Sequence, residues 1–109
     1  MEFKKNIIKS EAIKITAEEN GKVMGRAFLY LIKNDLHDKP YGLLEDVFVE
    51  EEARGGGLGT KLVQAVIDEV KVHGCYKLIA TSRESREGVH NWYEKIGFKK
   101  YGIEFRMDF

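Results

Sequence analysis

Four of the five residues from Gly55 to Gly59 are glycines, and this cluster restricts the fold of the 109-residue chain more than any other feature. Glycine is costly inside a helix or strand, so such a cluster belongs to a turn. Before it runs Tyr41-Gly-Leu-Leu-Glu-Asp-Val-Phe-Val49, rich in strand formers. After it Leu62, Val63, Val66, Ile67 and Val70 recur at helical spacing, with Lys61, Gln64, Asp68 and Lys71 on the opposite side. The pattern predicts a helix to about His73, with Gly74 as its cap. Strand, glycine turn and amphipathic helix form an α/β unit.

The rest of the chain extends that unit into one sheet. Asn20-Gly21 between two β-prone runs predicts a two-residue hairpin. The strand before it places Ile13 and Ile15 on one side. The strand after it is apolar on both faces, Ala27, Leu29 and Leu31 against Phe28, Tyr30 and Ile32, which predicts a central, covered strand. Tyr76 to Thr81 reads as a short buried strand, and Val89, Trp92, Tyr93 and Ile96 as the face of a second helix stopped at Gly97. Ile103, Phe105, Met107 and Phe109 alternate with Glu104, Arg106 and Asp108, which predicts a closing strand. The expected order is β-β-β-α-β-α-β-β, an α/β (α+β) fold with a mixed, mostly antiparallel sheet flanked by helices.

Composition sets the outer limits. Residues 1–109 fit one domain, with 43% hydrophobic residues to build a core. A domain of this size buries only about 60–70% of its unfolded surface, so a homodimer is expected to add to its stability. Lys plus Arg equals Asp plus Glu at 18 each, which argues against a nucleic-acid binder. Cys75 stands alone, so no intrachain disulfide forms; with no signal sequence and no membrane-length apolar run, the expectation is a soluble, cytoplasmic protein. No cluster of His, Cys and carboxylates suggests a metal.

The glycine cluster also points to chemistry. A helix start leaves backbone N–H groups without partners, and glycines let those groups converge on an anion. Phosphate or pyrophosphate is the natural ligand, with Arg54 at the entrance to add a charged contact. Two phosphate patterns fail here, because Thr60 stands where both the Walker motif and the dinucleotide fingerprint counted from Gly55 need glycine. Within the preceding strand, Glu45 and Asp46 are adjacent carboxylates, and strict alternation sends them to opposite faces. One of them then faces a core, a cavity or a partner, or pairs with a cation such as Arg26.

Arg54, Gly57 and Gly59 match the pattern [Gln or Arg]-x-x-Gly-x-[Gly or Ala]. With Leu44-Glu-Asp-Val-Phe-Val49 before it, Gly74-Cys-Tyr-Lys-Leu78 after the helix and Trp92-Tyr-Glu-Lys-Ile-Gly-Phe98 further on, the chain resembles the GNAT family of N-acetyltransferases from about Ile13 to Phe109. Within that family these segments look most like glucosamine 6-phosphate N-acetyltransferases. The resemblance implies acetyl-CoA as co-substrate, with its pyrophosphate on Arg54, Gly55, Gly56, Gly57, Leu58, Gly59 and Thr60 and its pantetheine arm paired to Val47, Phe48 and Val49. It implies direct attack by the primary amine of a small-molecule acceptor and Tyr93 as the acid for the departing thiolate. Glu45 and Asp46 are the candidates to take the ammonium's proton, since burial in an apolar strand raises a carboxyl pKa, or else to hold the ammonium electrostatically.

His90, one helical turn before Tyr93, is placed to serve as a base or to orient the tyrosine but is more simply a surface residue; His73 is a complement to a helix end, and Cys75 a small core residue. The family usually opens with a strand and two helices, and only Met1 to Ala12 precede the first confident strand, so that segment is expected to be shortened or missing. This motivates a second reading, a non-catalytic acyl-CoA-binding module or sensor. The acceptor stays open among amino-sugar phosphates, amino acids, polyamines and protein amines.

Overall fold

The computed structural model describes residues 1–109. Strands β1 (Glu11–Glu19) and β2 (Lys22–Ile32) form the expected hairpin. Glu19 pairs with Lys22, and Asn20 and Gly21 both take positive φ, as a tight two-residue turn requires. β3 (Tyr41–Val49) pairs antiparallel with β2, and a short β4 (Leu78–Ala80) pairs parallel with β3. The sheet order is β1-β2-β3-β4, so the two-sided apolar strand β2 lies inside the sheet as predicted.

Helix α1 (Leu58–Val72) crosses from β3 to β4 and covers one sheet face. Leu62, Val63, Val66 and Val70 meet Ala27, Leu29, Leu31 and Leu44, and these eight residues are the buried core. His73 caps α1 and Gly74 turns the chain with φ +66. The apolar side of α2 (Glu87–Ile96) adds Trp92, Tyr93 and Ile96 to the margin of that core. Two glycines absent from the turn logic are fixed by space. A Cβ on Gly25 would stand 2.9 Å from Leu62 Cδ1 and 3.0 Å from Phe48 O, and one on Gly42 would stand 2.9 Å from Leu29 Cδ1.

Three expectations differ from the structure. The segment from Lys99 to Phe109 forms no strand, and Ile103, Phe105, Met107 and Phe109 are exposed. Alternation shows that a segment suits a half-buried sheet, but a strand is stable only with a paired neighbour and a covered face. β4 spans three residues rather than Tyr76 to Thr81, which leaves a short edge for any such neighbour. The second face of β2 is also uncovered: Phe28 and Ile32 are half-buried and Tyr30 is exposed. Residues 1–10 have no regular structure and are exposed. No helix is long and apolar enough to cross a membrane.

Candidate active site

Two cavities flank the lower half of β3. The first, about 240 Å³, lies at the start of α1 and is lined by Val49, Ala53, Arg54, Gly55, Gly57, Leu58, Gly59, Thr60 and Trp92. Gly57 caps α1 at φ +81, and no side chain caps the helix. Lys61 N–H donates to Gly57 O at 3.1 Å, whereas the N–H groups of Leu58, Gly59 and Thr60 have no partner within the protein. Three adjacent donors at a positive helix end suit an anion. Nothing lies within 4 Å of a Cβ built on Gly55, Gly56 or Gly57, so an incoming group meets open space there.

Arg54 is held in two ways. Its Nε–H donates to Val49 O at 2.9 Å, and its guanidinium lies 5.5 Å from the Phe48 ring centroid. Arg26 approaches the same ring at 4.9 Å. Neither arginine is in an ion pair. The loop expected to hold pyrophosphate thus begins on a cation whose side chain is anchored to the end of β3.

The second cavity, about 490 Å³, opens on the uncovered sheet face and is lined by Ser10, Glu11, Ala12, Tyr30, Ile32, Leu43, Glu45 and Asp46. Here the structure corrects the sequence reading, because Glu45 and Asp46 line the same cavity. The cause is a β-bulge. Phe28 pairs with Glu45 and Arg26 with Phe48, so Asp46 and Val47 together oppose Ala27. Asp46 takes φ +52, an uncommon conformation for a residue with a side chain. The extra residue lets Val47 and Val49 pack against the core while Asp46 stays exposed.

The bulge coincides with a gap between strands. Pairing of β3 with β4 stops at Leu44 and Ala80, so from Glu45 onward β3 has a neighbour only on the β2 side. Phe48 pairs with Arg26, and Glu50 N–H donates to Met24 O at 2.8 Å. Backbone groups alternate along a strand, so those of Val47 and Val49 face the open edge. There Val49 O already accepts from Arg54.

Tyr93 lines neither cavity. Its ring stacks on Trp92 at 5.0 Å and meets the edge of Phe98 at 5.2 Å. Trp92 lines the first cavity, and the carboxylate of Glu45, in the second, acts on the Tyr93 phenol. Burial raises the phenol above its ordinary pKa, the Glu45 charge pushes the same way, and Arg86 opposes. Burial also raises the Glu45 carboxyl, aided by the charges of Asp46 and Glu104. No ion pair forms with Glu45 or Asp46, so the pairing with Arg26 considered from sequence is absent.

Of the loop and strand residues expected at the cofactor, Val49, Arg54, Gly55, Gly57, Leu58, Gly59 and Thr60 line the first cavity, while Val47, Phe48 and Gly56 do not. Trp92 also lines the first cavity, although in the sequence it reads only as part of an apolar stripe; the signal for more is that an indole carries an N–H that seeks a partner. The other candidates have structural places. His90 Nε2 lies 2.8 Å from Arg83 O, His73 Nε2 lies 3.3 Å from Glu69 Oε2, and burial raises the Cys75 thiol, against a reactive thiolate.

The family model for the acetyltransferase (GNAT) family matches residues 2–98. This chain belongs to the GNAT family. A glucosamine 6-phosphate N-acetyltransferase of Trypanosoma brucei brucei is 33% identical over 84% of the chain and 60% of that protein. The N-alpha-acetyltransferase 30 of Schizosaccharomyces pombe is 30% identical over 70% of the chain and 52% of that protein. The structure of a putative acetyltransferase from Agrobacterium tumefaciens superposes with a TM-score of 0.83 at 30% identity, covering 89% of the chain and 68% of that one. The GNAT chain described here therefore spans 60% or less of the length of these two curated relatives.

Proposed function

We propose that the chain is an N-acetyltransferase that takes its acetyl group from acetyl-CoA and passes it to a primary amine by direct attack. The observation that carries this reading is the first cavity, where three unpaired N–H groups and the anchored Arg54 converge beside the open edge of β3. The donor set suits the pyrophosphate, with Arg54 and the amides of the Gly55 to Thr60 loop holding it. When bound, the donor supplies a thioester carbonyl for the amine to attack. On the open edge, the Val47 and Val49 backbone pairs with an extended arm as a neighbouring strand would. An N–H beside the bulge stabilises negative charge developing on the carbonyl oxygen.

Acid and base fall to Tyr93 and to the carboxylates of the second cavity. Glu45, with its raised carboxyl and no competing cation, meets the substrate ammonium and takes its proton, and Asp46 adds negative charge to the same cavity. Tyr93 gives its phenolic proton to the departing thiolate. The acceptor is a small molecule with a primary amine. The two curated relatives are named for glucosamine 6-phosphate and for an N-alpha position, so their names do not fix its class. The single Cys75 fits a reducing, cytoplasmic setting.

Calorimetry with acetyl-CoA, free CoA and ATP tests the reading. Micromolar binding that favours the CoA species is expected, and thiol release with a panel of amines then separates an enzyme from a sensor that binds without turnover. Absence of CoA binding removes the assignment. A homodimer is the further expectation, supported by the uncovered face of β2 and the exposed alternating segment Ile103 to Phe109. Sedimentation should give about twice the 12.5 kDa chain mass; a monomer at high concentration rules the dimer out.

A further inference from the structure

Trp92, the chain's one tryptophan, joins the glycine loop to α2. Its Nε1–H donates to Thr60 Oγ1 at 2.9 Å, and a Cβ built on Gly59 would lie 3.6 Å from its six-membered ring. Both Trp92 and Thr60 line the anion cavity. An indole nitrogen only donates, whereas a hydroxyl accepts through its lone pairs and donates one proton. Because Thr60 Oγ1 accepts from Trp92, its own proton is not used in that bond. Threonine in a helix often returns that proton to a carbonyl one turn earlier. No such bond forms here, and Thr60 is exposed.

We infer that Trp92 is a positioning residue for the anion pocket: its N–H fixes the Thr60 hydroxyl so that the hydroxyl proton points to the cavity and donates to a bound phosphate oxygen. The ligand's identity rests on the acetyl-CoA reading, but the role of the pair does not, since any pyrophosphate group meets the same donor. The backbone amides of the loop carry the pocket's general attraction for anions. The hydroxyl adds one directed donor, present only while the indole holds its oxygen.

The experiment measures binding of CoA, inorganic pyrophosphate and pantetheine, which lacks the pyrophosphate, to the purified chain and four variants. Trp92→Phe keeps an aromatic wall without the N–H, Thr60→Val removes the hydroxyl at an exposed position, Thr60→Ser retains it, and a double variant combines the first two. Each of the first two is expected to weaken CoA about tenfold, the size of one hydrogen bond to a charged group. The double variant should weaken CoA no more than either single change, because one donor is lost in all three. Thr60→Ser should bind as the parent does, and pantetheine should not distinguish the variants. In turnover the loss should fall on KM for acetyl-CoA with kcat retained. Parent-level CoA affinity in Thr60→Val, or losses that multiply in the double variant, overturns the inference even where Trp92→Phe proves unstable. Binding of pyrophosphate without CoA defeats the acetyl-CoA reading instead, and the same pattern of losses must then hold for pyrophosphate.

Discussion

Replacing Tyr93 with phenylalanine is expected to lower turnover by about two to four orders of magnitude and to leave CoA affinity nearly unchanged. Phenylalanine keeps the ring that stacks on Trp92 and meets Phe98, so the packing of α2 and the melting temperature should hold. Only the proton donor is lost. Burial and the Glu45 charge keep the phenol protonated throughout the neutral range, so the parent enzyme should lose activity at alkaline pH only above the ordinary tyrosine value of about 10. That alkaline limb should vanish in the variant. An unaltered rate in single-turnover measurements removes Tyr93 from the mechanism.

The features of this site that were legible in the sequence are those set by local rules. The α1 stripe fixed which side of the helix meets the sheet, because helical periodicity leaves one apolar face, and Leu62, Val63, Val66 and Val70 are buried as read. Asn20-Gly21 specified its turn through positive φ at both positions. The glycine cluster specified the turn that opens α1 for the same stereochemical reason, with Gly55 and Gly57 at positive φ.

What escaped the reading depends on partners. Strand alternation sends Glu45 and Asp46 to opposite faces, and the bulge at Asp46 defeats it by adding a residue to β3 that β2 does not match. Nothing in Leu44 to Val49 marks that mismatch, since no glycine stands at the positive-φ position. Ile103 to Phe109 alternates well but has no neighbour to pair with. The apolar second face of β2 reports a suitability for cover that this chain alone does not supply. The apolar spacing of Trp92 places it on the helix face but says nothing of its N–H, whose partner lies 32 residues away at Thr60.

Glu45→Gln should separate the fold's interest from the reaction's. The carboxyl is raised by burial first and by Asp46 and Glu104 after it, so the folded protein binds this proton more tightly than the unfolded chain. The stability gained from the protonated form is full below the ordinary glutamate value and is lost as pH rises through the raised one. At neutral pH the parent therefore holds a carboxylate where its surroundings disfavour charge. Glutamine has nearly the same shape and no charge, so the variant should melt higher than the parent at pH 7. That advantage should shrink as the pH falls below the ordinary glutamate value of about 4.3, where the carboxyl becomes protonated in the unfolded chain as well as the folded one. Turnover should move the other way, falling by about two orders of magnitude or more with loss of the proton acceptor. The parent rate should rise with pH through the raised carboxyl value, a limb that the variant lacks. Parent and variant melting together at neutral pH would remove the electrostatic cost assigned to Glu45, and equal turnover would remove its role as base. A group that serves a reaction often weakens the fold that holds it, so opposed signs in the two measurements would mark Glu45 as part of the site rather than of the sheet.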